Sequence, residues 1–539
     1  MSKGRMLKSV RVVFSFIFLI SVSMIFAGCN GDAGKSEGSG EQLFRFNLAT
    51  EPETLDPALM TGSPEFTAAM QLFEGLVVND PNTLEPIPAV AKKWDISDDG
   101  LVYTFYLRDD AKWSNGDPVT ANDFYYSWKR VLEPETVSEY VYQLFYVRNA
   151  KKYYERKITD FNEVGLEVID DYTFRVTLEN PTAFWLDLVA FHTLLPVNRK
   201  AVEEHGVKWT RPENIICNGP FMLTEWVPKA HITMVKNPNY YDSGAVKLDK
   251  IIAYTIEDNI TSLQMLEAGE SDWMNTIPIT HIDKMKNKPE AHITPMMTTY
   301  YYRFNVKKKP LDDKRVRMAL NLAVDKQTIV DYVTKAGQTP ATTFVPPGIP
   351  GYNPPPGPEY NPEKARQLLA EAGYGPDGKK FPELQIIYNT SEGHKKIAET
   401  IQQMWMDELG IRVQLHNVEW KVYLKNLQAL DYDIARAAWI ADYTDPNTFL
   451  DMWVTDGGNN QTGWSSAKYD GLIESAASEL DPVKRMEIMK EAEDLLINDE
   501  MPIMPIYFYV NTNLVKTYVK GMSFNLRDLH PLKYVWLEK

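Results

Sequence analysis

One stretch of the sequence decides the fold: Asp433-Ile434-Ala435-Arg436-Ala437-Ala438-Trp439-Ile440-Ala441-Asp442-Tyr443-Thr444-Asp445-Pro446. Its first half is short and mostly apolar, which is typical of a buried strand. Asp445-Pro446 then supplies turn-forming residues that end the segment. Side chains that follow such a strand lie at the rim of a sheet, where ligands commonly bind.

Three side chains of this stretch are candidates for a site. Because side chains alternate faces along a strand, Arg436 and Trp439, three residues apart, are predicted to point to opposite faces. Asp442 lies beyond the strand end, and a buried Asp is rare unless it is paired. The local pattern leaves two interpretations of Asp442 open: a turn or capping residue beside a core Trp, or a charge kept for a ligand.

Apolar periodicity predicts other secondary-structure elements. Strands are expected at residues 43–48, 102–107, 172–178, 386–390 and 504–510. Helices are expected at residues 66–76, 316–326, 394–409 and 481–498, and another begins at Thr120, which forms a capping-box pattern with Asp123.

Length and composition bound the class of protein. A chain of 539 residues is too long for one ordinary core, so two or three domains are expected. The 44% hydrophobic and 24% charged composition is typical of a soluble globular protein. The formal charge is −16, and removing residues 1–28, which hold four basic and no acidic residues, takes it to −20. This charge argues against nucleic acid as a partner and against electrostatic docking on an anionic membrane.

The N-terminus has the pattern of a processing segment. Basic residues precede the apolar run from Val12 to Phe26, which is too short and wrongly flanked for a stable membrane span. Phe26-Ala27-Gly28-Cys29 resembles a bacterial lipobox, with Cys29 as the lipid-modified residue; the alternative is ordinary signal-peptide cleavage beside an incidental Cys. Residues 1–28 are therefore predicted to be a lipoprotein signal peptide and residues 29–42 a flexible tether.

Metal, cofactor and catalytic signals are weak. Cys217 is the only other cysteine, and it is predicted to be a small buried apolar residue with no disulfide if Cys29 is acylated. No Cys/His spacing typical of a metal site occurs, so neither a metal nor a cofactor is predicted. The motif His-Glu-x-x-His is absent from the sequence, and Gly-x-Ser-x-Gly occurs as Gly34-Lys35-Ser36-Glu37-Gly38, within the predicted tether. The protein is not expected to be an enzyme, with a secreted hydrolase kept as an alternative.

Strings spread along the chain resemble those of a known family. Residues 436–446 resemble the signature Arg-Ala-x-Trp-x-Ala-Asp-Tyr-x-(Glu/Asp)-Pro of oligopeptide-binding proteins, the extracytoplasmic receptors of ABC peptide importers (family 5 solute-binding proteins). Residues 107–124 match the longest string that the family shares, and shorter matches occur at residues 51–57, 218–221 and 236–241. The resemblance runs from about residue 43 to about residue 520.

The resemblance implies an α/β, periplasmic-binding-protein-like two-lobe fold with an additional β-rich domain, hinged around a ligand cleft. Lobe I would comprise residues 43–73, 200–297 and 511–539, the additional α/β domain residues 74–199, and lobe II residues 298–510. The chain would cross between lobes near Cys217, Thr298 and Val510.

The resemblance also implies the residues of a peptide site. Asp442 would pair with the α-ammonium of a bound peptide. The backbone of Thr61-Gly62-Ser63 would bond one side of the peptide, and that of Ala438 and Ile440 the other, as in β-strand addition. The remaining expected residues are the aromatic pocket walls Tyr140, Trp420, Trp439 and Tyr509, the polar pocket residue Asn275, and Arg436 and His394 at the far end or carboxylate. Each of the aromatic residues and His394 also fits a core position.

One position departs from the family. Relatives carry a Lys in the helix where this chain has Asn321, so one carboxylate partner is expected to be missing and the preferred peptide length to change. The implied function is a lipid-anchored, monomeric receptor on the outer face of the cell membrane that passes oligopeptides to ABC transporter permease subunits. A receptor for a murein or signalling peptide remains an alternative within the same fold.

Overall fold

Runs of apolar and β-branched residues form the strands. The computed structural model describes residues 41–182, 184–375 and 378–539. In chain order the strands found there are β1 (Leu43–Asn47), β2 (Val77–Asn79), β3 (Pro86–Pro88), β4 (Ala91–Ile96), β5 (Val102–Leu107), β6 (Leu166–Asp170), β7 (Thr173–Thr177), β8 (Phe221–Val227), β9 (His231–Lys236), β10 (Lys250–Tyr254), β11 (Trp273–Met274), β12 (Ala291–Phe304), β13 (Thr339–Pro340), β14 (Leu384–Asn389), β15 (Val413–Val418), β16 (Ile434–Ile440), β17 (Ile503–Val515), β18 (Val519–Lys520) and β19 (Trp536–Leu537).

Helices cover the connections between strands. Several begin at an Asp, Asn or Ser whose side chain accepts a backbone N–H, as at Asp258, Asn361 and Ser466. In chain order the α-helices of the described part are α1 (Ser63–Leu72), α2 (Ala121–Leu132), α3 (Ala150–Tyr154), α4 (Trp185–Val189), α5 (Arg199–His205), α6 (Asn259–Ala268), α7 (Ile282–Met285), α8 (Lys314–Leu322), α9 (Lys326–Thr328), α10 (Pro362–Glu371), α11 (Glu392–Leu409), α12 (Trp420–Gln428), α13 (Asn447–Leu450), α14 (Ala467–Ser478) and α15 (Pro482–Asp494).

One sheet runs through most of the chain. Its strand order is β15-β14-β16-β12-β17-β11-β1-β10-β9-β8, and β13 adds to β17. β14 is parallel to β15 and β16 on one side, and β1 is parallel to β10 and β11 on the other. Parallel pairs need crossover connections, which the helices supply, so the α/β class predicted from the sequence is confirmed.

The long strands β12 and β17 join the two sides of this sheet. They pair antiparallel along most of their lengths, but the pairing is interrupted between Pro295 and Thr299 of β12. The predicted lobe crossings near Thr298 and Val510 fall at this interruption, so both crossings lie within continuous strands rather than in loops. The division into lobes stays a prediction.

A second, antiparallel sheet has the order β4-β5-β7-β6. The predicted strand at residues 102–107 is confirmed as β5, because alternate residues there are buried. The predicted capping box is also present: the Thr120 backbone N–H donates to the Asp123 carboxylate at 2.7 Å, and α2 begins at the next residue. This part of the chain lies within the predicted additional domain, residues 74–199.

The predicted helix at residues 66–76 has the wrong bounds, because α1 spans Ser63–Leu72. The chain leaves the helix at Phe73, where the backbone is extended. The side chain of Asn218 then forms hydrogen bonds with both backbone groups of Glu74. It accepts from the Glu74 N–H at 3.0 Å and donates to the Glu74 carbonyl at 2.7 Å. These two bonds replace the helical bonds that a longer helix would have made.

Cys217 is 1% exposed within the core around β1, β9 and β10, so its prediction as a buried residue is confirmed; burial raises the pKa of its thiol to about 12. The predicted signal peptide at 1–28, Cys29 and nearly all of the tether at 29–42 lie outside the described residues. Among the helices that the structure describes, none combines the length and apolar character needed to cross a membrane.

Candidate functional site

A cavity of about 540 Å³ lies beside β16, within the size range of small-ligand sites. All of the residues that the sequence predicted for a peptide site line it: Thr61, Gly62, Ser63, Tyr140, Asn275, His394, Trp420, Arg436, Ala438, Trp439, Ile440, Asp442 and Tyr509. They come from positions up to 448 residues apart in sequence, so the fold brings the predicted set together around one space.

In the described ranges, one edge of β16 has no partner strand after Ala435, and this part of the strand lines the cavity. β14 pairs only with Ile434 and Ala435, whereas β12 pairs with the whole of β16. The Ala441 N–H donates to Met297 at the start of the β12 pairing, at 2.9 Å. Backbone groups alternate sides along a strand, so those of Ala438 and Ile440 point away from β12. They are therefore free to pair with an extended ligand.

The opposite wall is formed by the start of α1. Gly62 precedes the helix with an extended backbone (φ −119°, ψ 155°). A Cβ atom on Gly62 would lie 2.3 Å from Glu65 Oε2 and 2.7 Å from the Trp420 ring, so only glycine fits here. The position thus keeps the backbone of Thr61-Gly62-Ser63 close to the cavity.

Asp442 is a buried acidic residue of the cavity. Its carboxylate accepts from Gln143 Nε2 at 3.1 Å, and its backbone N–H donates to Thr448 Oγ1 at 2.9 Å. Within the described residues, no Lys, Arg or His nitrogen lies within 4.0 Å of this carboxylate. Burial raises the pKa of Asp442 well above its usual range, and the more distant Arg527 guanidinium opposes that shift.

Arg436 is a buried cation of the cavity. Its guanidinium donates to Tyr509 Oη at 2.7 Å and to Asn389 Oδ1 at 3.3 Å, and it lies 4.6 Å from the centre of the Tyr300 ring. No carboxylate of the described residues is within 4.0 Å of it, and its Nε has no hydrogen-bond partner there. His394 approaches the same Tyr300 hydroxyl at 3.4 Å, and burial, followed by the charge of Arg436, holds its pKa well below 6.5, so its imidazole is neutral.

Aromatic rings form the walls on the other face of β16. The ring of Trp439 stacks on that of Tyr140, with centroids 6.1 Å apart, and its Nε1 donates to the Thr448 carbonyl at 2.6 Å. Arg436 and Trp439 share none of these contacts, which agrees with their predicted opposite faces. Trp420 stacks on Tyr423, whose hydroxyl bonds the Arg436 carbonyl.

Asn321 lies elsewhere. It is 1% exposed on α8 and does not line the cavity, and neither polar atom of its amide has a hydrogen-bond partner among the described residues. Its effect on the cavity, predicted from the sequence, therefore has no direct contact to act through.

The sequence prediction missed several polar residues of the cavity region. Gln143 and Thr448 orient Asp442, and Asn389 binds Arg436. Arg303 was also missed, although a charged residue inside the apolar run 299–304 was a usable signal, because a strand buried on both faces rarely contains one. Gln143 carried the same kind of signal, because it is the one amide in the apolar run 140–147, whereas Thr448 had no comparable signal.

The cavity therefore combines a buried anion, buried cations, aromatic walls and a free strand edge. Across the described ranges, no three His, Cys, Asp or Glu side chains are grouped so that they could hold a metal ion. The arrangement suits binding of an extended molecule with charged ends, because main-chain pairing holds its length and fixed charges hold its termini.

The chain belongs to the bacterial extracellular solute-binding proteins, family 5, whose model matches residues 85–461. It is 38% identical to the oligopeptide-binding protein OppA of Bacillus subtilis over 92% of each chain. It is also 35% identical to the periplasmic murein peptide-binding protein MppA of Escherichia coli over 96% of each chain.

Solved structures agree with the predicted fold class. The structure of Haemophilus influenzae OppA in complex with the peptide RPPGFSPFR matches with a TM-score of 0.89 and 35% identity, covering 93% of this chain and 100% of that one. The unliganded open form of MppA, at 33% identity and 93% and 98% coverage, matches with a TM-score of only 0.63. The structure thus resembles the peptide-bound H. influenzae OppA more than the open form of MppA.

Proposed function

We propose that this protein captures oligopeptides in the cavity beside β16 and delivers them to an ABC importer. The observation that carries this proposal is an open strand edge close to a buried carboxylate, Asp442, that has no cation within 4.0 Å in the part of the chain that the structure describes. The family membership and the peptide-binding names of its relatives support the same conclusion.

Asp442 is the partner of the peptide's α-ammonium. An isolated buried carboxylate is costly, and a cation that arrives with the ligand removes that cost. The backbone of Ala438 and Ile440 pairs with the first peptide residues, so recognition there depends little on side chains. Thr61-Gly62-Ser63 closes the other side, and Tyr140, Trp420, Asn275 and Tyr509 bound the spaces for the peptide's side chains.

Arg436 meets the other end of the peptide. It is always charged, and neutral His394 beside it does not repel it. The planar guanidinium donates two parallel bonds to a carboxylate, which suits a peptide C-terminus.

Peptide entry requires the two predicted lobes to separate. Residues 43–73, 200–297 and 511–539 form one lobe and residues 298–510 the other, with the additional domain at 74–199. The interrupted pairing of β12 and β17 is the place where such a hinge bends at least cost, because fewer ladder bonds resist it. Trp420 Nε1 donates a hydrogen bond to the Glu65 carboxylate at 3.4 Å. Opening of the lobes would break this contact.

Lipidation of Cys29 holds the protein at the outer face of the cell membrane, and the tether separates the receptor from the lipid. The receptor acts as a monomer. In a Cys29→Ser variant the protein should move from the membrane fraction to the medium. Unchanged membrane association would refute the anchor.

Mass spectrometry of ligands released by denaturing the purified protein tests the function. We expect a set of short peptides with free N-termini. Recovery of murein-derived peptides alone would favour the function that the name of MppA describes, which 35% identity to this chain supports as a second candidate. Added synthetic peptides should be recovered intact; release of cleavage products would refute both binding functions and favour the hydrolase alternative.

A further inference from the structure

A second buried arginine lines the cavity, on the face of the sheet opposite to Arg436. Arg303 of β12 pairs in register with Ala435 of β16, whereas Tyr302 pairs with Arg436. Directly opposed residues point to the same face, and neighbours along a strand point to opposite faces, so Arg303 and Arg436 lie on different faces. Arg303 is 4% exposed.

The guanidinium of Arg303 is only partly satisfied by protein. One terminal nitrogen donates to Tyr301 Oη at 3.1 Å and the other bonds Gln461 Oε1. Its Nε has no hydrogen-bond partner among the described residues. The aromatic rings nearest to it are those of Tyr301 and Trp453, with centroids 5.7 and 6.0 Å away.

No carboxylate pairs directly with this cation. Within the described residues, no Asp or Glu oxygen lies within 4.0 Å of Arg303. The anion that acts on it is Glu139, which is linked through Gln461, whose Nε2 donates to Glu139 Oε2 at 3.0 Å. Glu139 is also bonded by Gln428, so each of its carboxylate oxygens accepts from a glutamine amide.

The same guanidinium faces the cavity. Arg303, Gln461 and Asn459 line it together with Leu427 and Trp439. A buried arginine kept only for the fold normally meets a carboxylate or backbone carbonyls, as Arg317 does with the carbonyls of Leu311, Glu500 and Met501. Arg303 instead lines the cavity with an Nε–H donor that has no hydrogen-bond partner among the described residues.

We propose that Arg303 is the centre of a carboxylate subsite that selects peptides with an acidic side chain; this rests on the proposed function. A peptide on the free edge of β16 directs alternate side chains to the two faces of the sheet. Side chains on the Trp439 face are directed towards Arg303, where an Asp or Glu carboxylate takes the place of the missing anion.

The position of Arg303 also limits which peptide residue it meets. Ala435, its partner in register, is five residues before Ile440, which is about 17 Å at about 3.3 Å per residue. Asp442 lies beyond Ile440 and holds the N-terminus. The acidic residue is therefore one that follows the first residue of the peptide.

Calorimetry with tetrapeptides tests the subsite. Tetra-alanine is compared with peptides that carry Glu or Gln at each position in turn. At one position after the first, Glu should bind roughly tenfold to a hundredfold more tightly than Gln, as expected for a charge-assisted bond. That Glu-to-Gln ratio should fall to near one in Arg303→Gln, recover in part in Arg303→Lys, and stay unchanged in Arg315→Gln, which removes an exposed arginine of α8.

Other outcomes separate the possible failures. Binding of tetra-alanine with no gain from Glu at any position would overturn the acidic subsite and leave the proposed function standing. No binding of any peptide to the parent protein would refute the proposed function itself. If amidating the C-terminus of tetra-alanine weakens binding to the parent protein but not to Arg303→Gln, Arg303 holds the peptide C-terminus and the side-chain assignment is wrong. Folding of each variant is checked by its thermal unfolding midpoint.

Discussion

Two aspartates three residues apart, Asp442 and Asp445, are equally buried but have different hydrogen-bond partners. Asp442 and Asp445 are each 7% exposed and both follow β16. Asp445 accepts two parallel bonds from Arg485 of α15, at 2.7 and 2.8 Å. Asp442 accepts a hydrogen bond from the neutral side-chain amide of Gln143, and among the described residues no cation is within 4.0 Å of its carboxylate.

The difference shows that burial alone does not mark a site. Both carboxylates are shielded from water. Of the two, only Asp445 forms an ion pair with a protein cation among the described residues. In the proposed function, the ammonium group of a ligand supplies the cation that Asp442 lacks among the described residues. Substitutions at the two positions should therefore change different properties.

The largest effect is expected at Asp442. Asp442→Ala should weaken binding of a free peptide by roughly two to three decades, because the ammonium would be desolvated without a partner, at about 3–5 kcal/mol. Asp442→Asn should lose less, since it keeps a hydrogen-bond acceptor. Calorimetry with one peptide, free and N-acetylated, against both proteins gives a double-mutant cycle. Acetylation should weaken binding to the parent protein far more than binding to Asp442→Ala. Equal acetylation penalties would mean that the ammonium anchor lies elsewhere.

A comparable effect, but on stability, is expected at Asp445. Asp445→Ala leaves Arg485 buried without its carboxylate, which should lower the free energy of unfolding by about 3–5 kcal/mol in urea titrations of the ligand-free protein. Asp442→Ala is the matched control and should not lower it. If both substitutions destabilise the ligand-free protein equally, the contrast between the two aspartates is wrong.

A smaller effect is expected from pH. Asp442 must be ionised to hold an ammonium, and its pKa is raised in the ligand-free protein by burial. Affinity should therefore fall as pH is lowered through that raised pKa, by up to about tenfold per pH unit. It should fall again above about pH 8, where the peptide ammonium loses its proton. Titrations from pH 4 to 9 would show this, and the acid limb should be absent in Asp442→Ala.

The smallest effect is expected at Glu65, a buried carboxylate next to the cavity wall. Burial raises its pKa from 4.5 to about 7, although the Glu53 N–H and Trp420 Nε1 bond it. A raised pKa contributes stability that is complete below pH 4.5 and is lost as pH rises to 7. The thermal midpoint of the parent protein should fall over that window, and Glu65→Gln should flatten part of the fall. An unchanged slope would show that Glu65 is ionised throughout.

Local patterns predicted the elements whose residues alternate or repeat clearly. β5 was predicted with its observed bounds because each second residue faces the core. The lengths of β12 and β17 could not be predicted, since both contain prolines, Pro295 and Pro505, and they pair with each other across 200 residues or more of sequence. The end of α1 likewise depends on Asn218, which is distant in sequence.

The candidate site was predictable only in part. The family resemblance supplied residues that all line the cavity, because short strings record positions around a shared fold. Gln143 and Arg303 were missed because their roles depend on which strand or loop lies opposite them. The sequence predicted a missing carboxylate partner at Asn321, but that residue is buried on α8 and does not line the cavity.

The open edge of β16 has a consequence for protein quality control. An unpaired strand edge is normally a template on which other chains aggregate. Here Ala438 and Ile440 line a cavity of about 540 Å³, and in the proposed function a cavity of that size would exclude long unfolded chains and admit short peptides. Under the proposed function, a peptide bound there would also have its peptide bonds shielded from proteases until it is delivered.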